Sequence, residues 1–178
     1  MAATSIVVSY HGPSGTTTNI GGIEVRYKWL DNDTADLEGA IAIPASTSNY
    51  SYPKFMKIQW ATTPAAVIRN LFTFVDSVDD GDPALDWDGL SMWVGITSTY
   101  VQAGLTDSFV KRSACTMNMD TYTAYNPLRL TADGVTVLAN PNVGVGTQPY
   151  VMTQLEVKPT AINGVKAQRS LFYKWDEI

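Results

Sequence analysis

Six aspartates, Asp76, Asp79, Asp80, Asp82, Asp86 and Asp88, fall within thirteen residues around Gly81, Pro83 and Gly89. Hard carboxylate oxygens at this density are what calcium takes as ligands. The spacing does not fit the helix-loop-helix calcium pattern, and no glutamate is present to close the site with both its oxygens. A solvated acidic loop between two strands is the leading expectation, with a structural calcium second. A carboxylate pair for glycoside hydrolysis comes third, because two such groups must face one another across a cleft.

Other residues with reactive side chains are few. His11 is the one histidine and Cys115 the one cysteine, so a Ser-His-Asp triad, a multi-imidazole metal cluster or a Cys-His pair has too few members. His11, beside Gly12-Pro13, is expected in a loop without a special role, and Cys115 as a small buried hydrophobe. One cysteine also excludes an intrachain disulfide, leaving the core or assembly to hold the fold. Gly21-Gly22 and the Gly144/Gly146 pair lack the strand-to-helix setting of a phosphate loop and are expected to be turns. No residue is assigned as catalytic, metal-binding or cofactor-binding, no cofactor is expected, and the chain is not expected to be an enzyme.

Aromatics are the other resource. Trp29, Trp60, Trp87, Trp93, Trp175 and nine tyrosines would serve as core or subunit interface where they alternate along strands. A sugar-binding face is the alternative, and Trp87, between Asp86 and Asp88, is the tryptophan best placed to be exposed.

The elements that would position these residues are strands. Residues 6–10 are a short apolar run, and 11–15 followed by three threonines is expected to be a loop. Residues 23–29 alternate apolar and charged, predicting a strand with one face buried and one wet. Residues 50–61 read as a strand with Met56, Ile58 and Trp60 on one face and Lys57 and Gln59 on the other. Residues 67–75 and 90–101 read as strands, Trp93 opposing Met92 and Val94. A short helix at 107–113 is a weaker expectation, and strands at 128–131 and 135–138 are expected to be neighbours. From 150 onward two segments, 150–157 and 165–175, alternate on either side of Asn163-Gly164, which predicts a terminal hairpin inside a sheet.

Together these predict an all-β chain, an antiparallel β-sandwich of jelly-roll-like or Ig-like type. At 178 residues a single domain over 1–178 is expected, with a possible N-terminal arm at 1–20. Charged residues are only 16%, below the roughly 25% of ordinary soluble domains. Part of the surface is therefore expected to be hidden against partners. A net charge of -5 without clustered Lys and Arg argues against nucleic acid as a partner. The N-terminus lacks a signal-peptide pattern, and no apolar run reaches the roughly 18 residues of a spanning helix, so no membrane partner is expected.

Several segments carry a likeness to a known group: Ile43-Pro44, Tyr50-Ser51-Tyr52-Pro53-Lys54, the Pro64 to Phe74 run with Ile68, Asn70, Leu71 and Phe72, Gln154-Leu155-Glu156-Val157, Ala161 to Gly164, and Phe172-Tyr173-Lys174-Trp175-Asp176-Glu177-Ile178. In this order they resemble small virion structural proteins of tailed bacteriophages, over roughly 41–178. The acidic loop is a departure, being more loaded with Asp than that group's pattern requires. The resemblance implies a capsid decoration or cement protein that binds across capsomers, with the major capsid protein as partner and a homotrimer as its assembly. It would be made in the host cytoplasm and reside on the capsid surface of the virion. A head-tail connector or tail structural protein is the alternative, and a carbohydrate-binding module the reading outside the virion. As capsid contacts, residues 2–10, 16–19 and 140–148 are expected, because they lie outside the clearest strands.

Overall fold

The alternation of β4 (Lys54–Trp60) fixes the frame: Met56, Ile58 and Trp60 point to one side of the strand, and Trp60 is completely buried there. A computed structural model of the chain describes residues 3–19, 25–31, 39–75, 89–104, 110–162 and 170–178. The fold is an antiparallel β-sandwich, and every described ladder is antiparallel.

The large sheet contains β1 (Ser5–His11), β2 (Thr16–Asn19), β3 (Asn49–Tyr50), β4, β6 (Leu90–Thr97), β7 (Met117–Asn118) and β10 (Tyr150–Val157) in the order β2-β1-β4-β10-β6-β7, with β3 also on β10. The small sheet is built on β5 (Val67–Val75), with β11 (Leu171–Glu177) on one side and β8 (Leu128–Arg129) and β9 (Thr136–Ala139) on the other. Ile58, Trp60, Val94 and Val151 from the large sheet meet Ile68, Leu71, Val75, Val137 and Leu138 from the small one in a single apolar core. Burial of that apolar area is the main favourable term in the fold.

A bulge in β5 decides which rings reach the surface. Asn70 has φ +50 and the β5–β11 register shifts between the Phe72/Lys174 and Arg69/Asp176 pairs, so one extra residue lies between the inward Ile68 and the inward Leu71. Asparagine tolerates this left-handed backbone better than most side chains. Its own amide fixes the position: Nδ2 donates to Asp176 at 2.6 Å, and Oδ1 accepts from the Gly134 N–H at 3.2 Å. Beyond the bulge Thr73 and Val75 follow Leu71 inward, and Phe72 and Phe74 turn outward.

The structure corrects several expectations. The terminal hairpin does not form: β10 lies between β4 and β6 in the large sheet, and β11 pairs with β5 in the small one. Asn163-Gly164 itself lies outside the described residues. The alternation of β11 is nevertheless as expected, with Leu171, Tyr173 and Trp175 packed on the core. The threonines after Gly15 form β2, so residues 5–19 are a hairpin joined to β4 rather than a free arm or a loop.

Val25 to Trp29, the described part of the expected 23–29 strand, is not a strand. Trp29 N–H to Gly39 O, Tyr52 N–H to Lys28 O and the Tyr27 hydroxyl on Thr153 are among the bonds that hold it. The adjoining residue, Pro53, has no N–H with which to continue a ladder. Lys28, expected on a wet face, is 5% exposed. The 50–61 strand is split by the same proline into β3 and β4, and the Ser51 hydroxyl accepts from the Leu155 N–H across the gap. Finally, β8 and β9 do not pair with one another; both lie along the same side of β5. The described residues of the expected 107–113 helix, 110–113, are not helical.

Candidate binding faces

Each sheet has an outer face, and the chain treats the two differently. On the large sheet, Tyr10, Phe55, Tyr150, Met152 and Trp93 point away from the core and gather with Tyr100 and Cys115 in a second cluster. Residues 110–116 lie over it. Gln154, which is fully buried, fastens that segment: Oε1 accepts from Arg112 N–H at 2.9 Å, and Nε2 donates to Val110 O at 2.9 Å and Ser51 O at 2.8 Å. Gly95 permits the close approach, because a Cβ there would overlap the Ala114 carbonyl.

Farther along that face, Glu156 accepts from Ser48 at 2.6 Å, Trp93 Nε1 at 2.8 Å and Tyr50 at 3.3 Å. Burial raises its pKa, but these bonds and the charge of Lys158 outweigh that and hold it below its usual value. Lys111 Nζ caps the Trp93 ring at 2.9 Å from the centroid. The network is satisfied within the chain and is architectural in character.

The outer face of the small sheet keeps its rings against solvent. Phe172 of β11 stacks on Phe74 of β5, centroids 5.2 Å apart and planes 14° from parallel, and Phe172 remains 43% exposed. In the next row Lys174 and Arg129 flank Phe72 through the β5 ladders, the Arg129 guanidinium 4.6 Å from the ring centroid. Three outward phenylalanines, Phe172 exposed and Phe72 and Phe74 half-buried, thus lie together with two cations on this face. The sequence analysis missed it, since a run of apolar residues in β5 reads as uniformly inward unless the bulge at Asn70 is known.

The expected site residues are dispersed. His11 Nε2 lies 2.6 Å from Thr18 Oγ1 across the β1–β2 hairpin. Cys115 is fully buried as a free thiol, and burial pushes its pKa up to about 12 against the opposing pull of Lys111 and Arg112. Gly144 and Gly146 lie in a turn; Gly144 bridges to Trp60 by two backbone bonds. Trp60 is core, Trp175 packs edge-on against it at 5.8 Å, and Trp93 lies under Lys111. The Asp76 to Asp88 loop, Trp87 and Gly21-Gly22 lie outside the described residues. Among the described residues no group of three or more His, Cys, Asp or Glu is arranged to hold a metal, and no helix is long and apolar enough to cross a membrane.

No protein-family model, curated protein or solved structure matches this chain.

Proposed function

We propose that the chain is a structural part of a tailed-phage virion, a capsid decoration or cement protein acting by binding rather than by chemistry. The observation that carries this reading is the Phe72, Phe74 and Phe172 face, with Phe172 43% exposed on a rigid ladder. Exposed apolar patches on rigid elements mark association surfaces. The segments that resemble the virion group support it as well, since Pro64 to Phe74 and Phe172 to Ile178 supply the two strands that present this face.

The partner is the major capsid protein, and the chain itself assembles as a homotrimer. A ligand that binds only the assembled shell shifts the equilibrium toward that shell by its binding free energy at each site. Internal pressure from packaged genome pulls capsomers apart, and a rigid sandwich spanning their boundary opposes it. Of the contact segments expected earlier, 16–19 is the edge strand β2 and 140–148 is a surface turn. Val8 and Ser9 are 3% and 1% exposed within β1, so the contact is assigned instead to the phenylalanine face.

A heat and osmotic-shock challenge of particles with and without the protein, at matched salt, tests this function. Greater survival of decorated particles is expected. Equal survival, or labelling of the tail in place of the shell, would move the chain to a connector or tail position.

A further inference from the structure

Lys57, in the middle of β4, is 8% exposed on the outer face of the large sheet. Among the described residues its ammonium has neither a hydrogen bond nor an ion pair; the ring of Tyr150 meets it, with the centroid 3.9 Å from Nζ. Buried charges are ordinarily paired, because desolvation of an ammonium is costly and a ring face returns only part of what water supplied.

Two tyrosines lie on the same face, Tyr150 against the ammonium and Tyr10 against Tyr150. Tyr10 packs edge-on against Tyr150 with centroids 4.9 Å apart, and neither hydroxyl has a hydrogen-bond partner among the described residues. Both tyrosines are half-buried. The described acid near this end of the sheet, Asp31, is occupied by the Gly12 N–H and the Gln102 amide. Burial and the nearby Tyr150 raise the pKa of Tyr10, which keeps its hydroxyl a proton donor, and burial lowers that of Lys57.

We infer that Lys57, Tyr10 and Tyr150 form a seat for an oxyanion, a carboxylate or phosphate group whose oxygens accept from Nζ and from the two hydroxyls. An anion there replaces the lost hydration of the ammonium with charge-assisted hydrogen bonds, the strongest kind available to it. The seat lies on the opposite side of the molecule from the phenylalanine face and is independent of the virion function.

The test is an NMR titration of the Lys57 side-chain signal in the intact protein with inorganic phosphate and, separately, with acetate, each against sodium chloride at equal ionic strength. A saturable shift with either anion is expected, and the one that binds more tightly identifies the group. Lys57→Met, which keeps the volume of the stem, should weaken binding by about tenfold or more, whereas Lys57→Arg should retain it. A Lys57 signal that follows chloride alone in all titrations would overturn the inference without recourse to any variant, as would undiminished binding by a folded Lys57→Met protein.

Discussion

Phe74 and Phe172 stack across the β5–β11 ladder with their planes 14° from parallel, on the side of the small sheet that faces away from the core. Phe172→Ala should therefore cost only about 1 kcal/mol of stability, the ring pair and a partly exposed side chain being all that is lost. Trp60→Ala, at a completely buried position, should cost about 3–5 kcal/mol. Urea melts give both numbers. Light scattering on the same samples should show wild type and Phe172→Ala self-associating alike, since this face is assigned to the capsid contact; a monomeric wild type would remove the homotrimer.

Gln154 should be the fastening on which the covering segment depends. Gln154→Leu leaves the Arg112 N–H and the Ser51 and Val110 carbonyls without their partner, and unsatisfied buried groups cost about 1–3 kcal/mol each. A loss of at least about 2 kcal/mol is expected, together with faster hydrogen exchange at Arg112. Gly95→Ala should loosen the same segment by a different route, because the added methyl meets the Ala114 carbonyl.

Cys115 should resist modification. With its thiol fully buried and its pKa pushed up to about 12, almost no thiolate is present at neutral pH, and thiolate is the reactive form. A thiol reagent should label the denatured chain rapidly and the native one only at the rate of unfolding. Fast labelling of native protein would mean that residues 110–116 leave the sheet readily.

Glu177 ties the end of β11 to two other segments, accepting from the Ala3 N–H at 2.9 Å and the Ala65 N–H at 2.7 Å. The bond from Ala3, then that from Ala65, lowers its pKa below the ordinary 4.5. A carboxylate whose folded pKa is depressed stabilises the fold above its unfolded pKa, about 4.3, and loses that contribution as pH falls through the folded value. Glu177→Gln should consequently be less stable than wild type at neutral pH, with the gap closing below about pH 4. Thermal melts across pH 3 to 7 check the sign.

Much of the sandwich was legible because a buried sheet face imposes a two-residue period. The inward Met56, Ile58 and Trp60 of β4 and Leu171, Tyr173 and Trp175 of β11 are readable from that period alone. Partner choice is not, since the same alternation suits any sheet edge. For that reason Asn163-Gly164 suggested a hairpin between strands that belong to different sheets. The outward phenylalanines were hidden by the bulge at Asn70, which changes parity within one strand. Lys57 was placed on the correct face, but its burial against the Tyr150 ring depends on which strand lies beside β4, and no local pattern announces that.

Electron cryo-microscopy of phage particles made with the chain tests the proposed capsid role without intermediate assumptions. A decoration protein should appear as three-fold density on the outer shell at capsomer boundaries, with the Phe72, Phe74 and Phe172 face of each copy turned into a contact. Density in the neck or tail, or shells that lack the chain altogether, would contradict a capsid role.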